Sequence, residues 1–361
     1  MTLDNDDLAA LLYTSGTTGR AKGVMLTHGN VWWNSVNVDT VVDTRVDDVY
    51  LAVAPLYHIG GLNTFTLRAL TRGSTTLIRR SFDPAQTLKD LVEYRVNGWF
   101  AVAAMLAAIE RQPDFADADL SDLRSTIAAG APVPPALIAR FAEKGVLLQQ
   151  AWGLTETAPF STYLEAAKTQ AKLGSAGIPM PFTEVIVVDV STLAPITEAG
   201  SSGELWVRGP NVAAGYWNNP TATEAAFTTD GWFRTGDIGF LDPDGYLFIV
   251  DRLKDMIISG GENVYPAEVE NALNVDLRIA DVAVVGAEDE RWGEVVVAVV
   301  VPATGAALTL DDVRDVAGQQ LARYKLPTRM LLVEALPRNA SGKLEKPAIR
   351  RMVAEHASLV V

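Results

Sequence analysis

An α/β fold is predicted by two observations: strand-length apolar runs alternate with helix-length stretches over the first half of the chain, and hairpins then give way to a second, shorter α/β stretch. The runs YLAVAPL (Tyr50 to Leu56), STTLIRR (Ser74 to Arg80), GWFAVAA (Gly98 to Ala104), STIAAG (Ser125 to Gly130) and VLLQQAW (Val146 to Trp152) read as strands. PAQTLKDLVEYRV (Pro84 to Val96) and PPALIARFAEKG (Pro134 to Gly145) read as the helices between them, so βαβ units with a mixed or parallel sheet are expected. From Thr183 the segments EVIVVD, ELWVRG and DIGFLDPDGYLFIVDR predict a β-rich subdomain, with Asp242 to Gly245 turning the last hairpin. After Asp251 and Arg252 come a glycine pair, a helix opened by Pro266, the strands ADVAVVG and GEVVVAVVV, an amphipathic helix from Leu310 to Leu321 and a last strand. The expected division is a large N-terminal portion over residues 1–250 and a small α+β C-terminal domain over 251–361.

Composition narrows the function. A formal net charge of −14 argues against nucleic acid, which needs a basic footprint, and offers no polybasic patch for anionic lipid. The longest aliphatic run, Val295 to Val301, is too short to cross a bilayer, and the acidic start MTLDNDD is unlike a secretory signal, so a cytoplasmic protein is expected. With no cysteine there is no disulfide, thiolate zinc site or Cys nucleophile. Three scattered histidines leave oxygen ligands for any metal, which points to Mg²⁺.

The strongest local signal is LLYTSGTTGRAKGV (Leu11 to Val24), an apolar strand entering a loop rich in glycine and hydroxyls. Gly16 and Gly19 let backbone N–H groups turn toward an anion, Thr14, Ser15, Thr17 and Thr18 add hydroxyl donors, and Lys22 adds positive charge. The alternative is an ordinary polar hairpin. A Walker A loop is excluded, because Lys22 lies between Ala21 and Gly23 rather than between Gly and Ser or Thr.

This loop resembles the phosphate loop of the adenylate-forming superfamily of acyl-CoA synthetases, luciferases and peptide-synthetase adenylation domains. The resemblance continues in the family's order through APLYHIGG (Ala54 to Gly61), AAGAPVP (Ala128 to Pro134), QAWGLTET (Gln150 to Thr157), GELWVRGPNVAAGYWNNP (Gly203 to Pro220), DGWFRTGDIG (Asp230 to Gly239), DRLKDMIISGGENVYPAEVE (Asp251 to Glu270) and LPRNASGKLEK (Leu336 to Lys346). It is most similar to fatty-acyl-CoA synthetases. A substantial subdomain precedes the loop in that family and is expected to be missing here.

The resemblance implies a site by position. Adenine is expected against Gly130, Ala131, Pro132 and the ring of Trp152, although a tryptophan buries large area in any core. Thr155 is implied at the α-phosphate and Glu156 at Mg²⁺. Asp237 is implied to accept both ribose hydroxyls, with Arg252 assisting there or at a phosphate. His58 corresponds to the residue guarding the carboxylate pocket and pantetheine channel, and Lys343 to the lysine that neutralises charge at the reacting centre. Asp251 matches the hinge of a mobile C-terminal lid, and Gly260 and Gly261 would leave room for pantetheine.

The implied reaction is attack of a carboxylate on the α-phosphorus of ATP, releasing pyrophosphate, followed by attack of the coenzyme A thiol on the acyl-AMP. The substrate class implied is a fatty acid. Two alternatives stay open: an acyl or aryl adenylating domain that delivers to a carrier protein, and a catalytically incomplete nucleotide-binding fragment. The sequence sets no oligomeric state. Ala21, Ala103 and the Ala151–Trp152 pair depart from the family pattern without removing a chemical group.

Overall fold

The computed structural model describes residues 2–14, 21–131, 133–338 and 344–356. The chain divides into two compact units, Met1–Thr235 with Gly239–Ile249 and Gly236–Ile238 with Val250–Val361.

The first unit begins with an antiparallel hairpin, β1 (Leu8–Thr14) and β2 (Lys22–Thr27), in which Thr14 faces Lys22. β2 runs straight into α1 (His28–Val41) because Thr27 caps that helix: its hydroxyl accepts the Asn30 N–H while the Asn30 side chain accepts the Thr27 N–H.

A seven-stranded sheet follows, built from β3 (Val49–Ala52), β4 (Thr75–Ile78), β5 (Gly98–Ala101), β6 (Ser125–Ala128), β7 (Leu148–Gly153), β8 (Phe160–Tyr163) and β9 (Ile178–Pro179). Its order is β4-β3-β5-β6-β7-β8-β9. The pairings from β4 through β7 are parallel, and β8 and β9 are antiparallel additions. α2 (Ile59–Gly61), a π-helical turn (Leu62–Thr66) and α3 (Leu67–Arg72) lead from β3 to β4; α4 (Pro84–Glu93), α5 (Ala103–Glu110) and α6 (Pro135–Glu143) provide the later crossovers.

Both faces of this sheet are covered. Leu51, Trp99, Leu106, Ile109, Phe141 and Leu148 share one core, while Tyr50, Ile127, Phe65, Val38 and Phe160 share another. Two-sided burial is why the strands read as continuous apolar runs rather than alternating ones.

Four of the runs end earlier as strands than the sequence suggests, and two of them show why. YLAVAPL stops pairing at Ala52, and Pro55, which has no N–H to give a ladder, opens the turn that follows. GWFAVAA stops at Ala101, and its last alanines begin α5, as strong helix formers do.

A second sheet, in the order β11-β10-β12-β13-β14, contains β10 (Glu184–Val188), β11 (Pro195–Ile196), β12 (Gly203–Arg208), β13 (Phe233–Leu241) and β14 (Leu247–Arg252). α7 (Pro220–Ala226) lies between β12 and β13 in sequence, started by Asn219, whose side chain accepts the Ala222 N–H. Asp242 to Gly245 turn between β13 and β14 as the sequence indicates, with Gly245 at φ 82° and Asp242 accepting from the Tyr246 N–H.

The second unit contains β15 (Ile257–Ser259), β16 (Glu262–Val264), α8 (Pro266–Leu273), β17 (Ile279–Asp289), β18 (Gly293–Pro302), α9 (Leu310–Gly318), β19 (Arg329–Leu332) and α10 (Lys346–Glu355). β17 and β18 form its spine, with Val282 opposite Val300 and Val285 opposite Val297. Val282, Val284, Val296 and Val300 face α8 and α9 through Val269, Leu273 and Val313, whereas Ala283, Val285, Val297 and Val299 face Ile349 and Val353 of α10. The run Val295 to Val301 is thus a strand buried on both sides. Among the described residues no helix is long and apolar enough to cross a membrane.

Candidate active site

In the first unit the phosphate hairpin, a tyrosine and a buried carboxylate come together. Ser15, Gly16, Thr17, Thr18 and Gly19 lie outside the described residues; Thr14 and Lys22 end the strands that flank them. The Lys22 Nζ sits 4.8 Å from the centroid of the Tyr216 ring, within cation–π range. That ring is brought to the hairpin by backbone pairing: the Met25 N–H donates to the Gly215 carbonyl at 2.9 Å and the Trp217 N–H to the Gly23 carbonyl at 2.8 Å. The Tyr216 hydroxyl donates to Glu156 Oε1 at 2.8 Å. Burial raises the Tyr216 phenol well above its ordinary pKa, and the nearby Glu156 charge and its hydrogen bond push the same way.

Glu156 lies on a 3₁₀ turn, Thr155–Thr157, immediately after β7, and is 7% exposed. Three asparagine and backbone donors fix this turn. Asn211 Nδ2 donates to the carbonyls of Thr157 and Phe160 at 2.8 and 3.1 Å, Asn63 Nδ2 donates to the Ala158 carbonyl at 2.5 Å, and the Ala213 N–H donates to the Glu156 carbonyl at 2.8 Å. Thr155 is half-buried on the same turn. These bonds fix the backbone that carries Glu156, so its buried carboxylate is presented from a rigid turn.

The other expected residues of this unit are less gathered. Gly130, at φ 87°, and Ala131 are exposed at the end of β6, and Pro132 lies outside the described residues. Trp152 packs with Val185, Val187, Leu205, Val207 and Leu247 and is 9% exposed. His58 is exposed at the start of α2, its ring 4.6 Å from that of Tyr57. The glycines after it are demanded by packing: a Cβ on Gly60 would meet the Phe100 ring at 2.5 Å, and one on Gly61 the Pro55 carbonyl oxygen at 2.6 Å.

In the second unit, Asp237 is 5% exposed and its Oδ1 lies 2.8 Å from Arg252 Nε. Asp251 accepts two N–H groups, from Arg252 and from Ala267 in the first turn of α8, each at 2.7 Å. Burial raises its carboxyl above the ordinary range, while Lys346 and the two N–H groups pull the other way. Gly260 and Gly261 adopt φ 61° and 88°. A Cβ on Gly260 would strike the Trp292 ring at 2.7 Å, whereas Gly261 meets nothing within 4 Å, so the turn itself already calls for glycine. Lys343 lies outside the described residues.

Among the described residues no three acidic or histidine side chains converge as a metal cage. Mg²⁺ is commonly held by one or two carboxylates together with substrate phosphates, so the buried Glu156, sharing Tyr216 with Lys22, fits that ion.

Sequence reading passed over Tyr216, Asn63 and Asn211. The signal available for Tyr216 was its place in GPNVAAGYWNNP, where Gly215 at φ 133° and the Asn219 cap mark a fixed strap. Asn211 lies in the same string, but neither asparagine's role shows in it, since their partners are backbone carbonyls remote in sequence.

Residues 1–217 match the model of the AMP-binding enzyme family, and residues 268–343 that of the AMP-binding enzyme C-terminal domain. A feruloyl-CoA synthase from an Amycolatopsis species is 45% identical over 346 residues, 96% of this chain and 70% of the relative. The long-chain-fatty-acid–CoA ligase FadD13 of Mycobacterium tuberculosis is 42% identical, over 96% of this chain and 67% of its own. The o-succinylbenzoate CoA synthetase MenE of Bacillus subtilis, solved with the acyl-adenylate OSB-AMP, superposes with a TM-score of 0.86 at 36% identity, covering 96% of this chain and 70% of that one. The same enzyme has also been solved with ATP and magnesium ion. The chain belongs to the AMP-binding enzyme family, among the adenylate-forming acid–thiol ligases that take ATP, Mg²⁺ and coenzyme A.

Proposed function

We propose that this chain activates a hydrophobic carboxylic acid, a fatty acid first among them, as its acyl-AMP and transfers the acyl group to coenzyme A. The observation that carries the reading is the grouping of Lys22, at the base of the phosphate hairpin, with the buried Glu156 around one tyrosine. In the first step a substrate carboxylate oxygen bonds to the α-phosphorus and the bond to the β-phosphate bridging oxygen breaks, so that pyrophosphate leaves. Lys22 and Lys343 offset the negative charge that builds up, which is the main demand of phosphoryl chemistry. Glu156 would hold Mg²⁺, whose charge neutralises the phosphates when bound. Thr155 would donate to the α-phosphate, and Asp237, braced by Arg252, would accept from the ribose hydroxyls.

In the second step the coenzyme A thiolate bonds to the acyl carbonyl and AMP leaves. Gly260 and Gly261 are assigned to the pantetheine path, His58 to the carboxylate pocket, Gly130, Ala131 and Pro132 to the adenine, and Asp251 to the hinge. The cytoplasm, where ATP and coenzyme A are available, is the inferred setting. A second reading takes an aryl-substituted acid as substrate. It is favoured by the feruloyl-CoA synthase, the more similar of the two curated relatives described above.

The test is pyrophosphate release with ATP, Mg²⁺ and a panel of fatty and aromatic acids, with and without coenzyme A. Release that needs an acid and is abolished by Lys343→Ala, while thioester formation from supplied acyl-AMP survives in that variant, is the expected result. Release that ignores the acid, or equal loss of both steps, overturns it; ATP binding without any release would favour a nucleotide-binding fragment.

A further inference from the structure

We propose that Tyr216 is a positioning residue for adenylation, aiming the Glu156 carboxylate through its hydroxyl and restraining the Lys22 ammonium through its ring. The inference rests on the reading of Glu156 and Lys22 given above. It starts from how little freedom the tyrosine has. Its N–H donates to Thr223 Oγ1 at 3.0 Å, it bridges to Val24 of β2, and its ring meets Phe227 edge-on at 6.2 Å. Gly215 beside it stands at φ 133°, where a Cβ would lie 2.6 Å from Thr223 Cγ2, so the strap passes against α7 at a place only glycine allows.

From that fixed frame the side chain reaches two opposite charges at once. The hydroxyl is 2.8 Å from Glu156 Oε1, and the ring centroid is 4.8 Å from Lys22 Nζ. Each contact alone is ordinary; together they set the relative position of the group that would hold the metal and the group that would meet the phosphates. Tyr216 itself is 7% exposed and touches the reaction only through these partners. Its substitution therefore separates into two arms. Removing the hydroxyl takes one hydrogen bond from the carboxylate and leaves the ring, and removing the ring takes the aromatic contact from the lysine as well.

The experiment uses the full chain and measures ATP affinity by calorimetry with saturating Mg²⁺ and again in EDTA. The ratio of the two affinities reports how well the metal is coupled to the nucleotide site. Glu156→Gln is expected to collapse that ratio. Tyr216→Phe is expected to lower it roughly tenfold, the loss of a hydrogen bond to a charged group, with affinity in EDTA unchanged. Tyr216→Leu is expected to weaken binding in EDTA too, and Phe227→Leu, which loosens the same packing without touching either charge, to change neither. A normal ratio in Tyr216→Phe alongside a collapsed one in Glu156→Gln overturns the positioning role and leaves the metal assignment standing. An unchanged ratio in Glu156→Gln removes the metal assignment and this inference with it. Phe227→Leu behaving like Tyr216→Phe would make the effect one of packing and overturn the proposal.

Discussion

Asn211 does for the backbone what Tyr216 does for the side chains. Fully buried, it donates to the carbonyls of Thr157 and Phe160 and accepts the Thr183 hydroxyl at 2.8 Å, so the turn carrying Glu156 is stapled to the segment before the strap. Asn211→Ala leaves two buried carbonyls without that donor, and a group so orphaned costs about 1–3 kcal/mol. The expected outcome is a lower thermal midpoint together with a raised Mg²⁺ requirement for pyrophosphate release; an unchanged midpoint would show that the turn holds its shape without the amide. Lys22, Glu156 and Asp237 were singled out from the sequence because each sits in a motif that the family resemblance covers. Asn211 and Tyr216 were not, because their meaning lies in partners about 50 residues and more away.

At the scale of elements, legibility followed burial. The two-sided strands β3, β5, β6 and β7 announced themselves as apolar runs, and only their ends were misjudged, where alanines continued the run into α5. α10 was missed as a helix, since only Ile349 and Val353 of it are buried and they make a short apolar stripe. What fixes it is charge: Lys346 Nζ lies 2.9 Å from Glu270 Oε1 of α8, and Arg350 2.9 Å from Asp255. Burial raises the Glu270 carboxyl above its ordinary range, with Lys346 opposing that rise. A raised folded pKa means that ionised Glu270 weakens the fold as pH climbs through that value, and the lysine offsets the loss. Lys346→Met strands the carboxylate and should cost about 3–5 kcal/mol near neutral pH. The deficit should shrink as pH falls and Glu270 takes up a proton, so urea unfolding of wild type and variant at pH about 7.5 and about 5 checks it. An equal deficit at both would mean that the pair is not what holds α10.

The chain as a whole was read as two domains meeting at Asp251, and this boundary makes a prediction of its own. The β17–β18 spine is covered on one face by α8 and α9 and on the other by α10, so the cores on its two sides are completed by residues beyond position 251. A sheet sealed on both faces by its own helices has the makings of an independent folding unit, and a stretch of this size is within the range of domains that fold alone. Residues 251–361 produced by themselves should therefore unfold in urea in one cooperative step. Trp292, the one tryptophan in that stretch, supplies the signal: it is half exposed, and its ring lies where a Cβ on Gly260 would fall. Coincident fluorescence and far-ultraviolet circular dichroism transitions are expected. A broad, probe-dependent loss of structure would move the boundary upstream, toward the residues 236–238 that group with this unit.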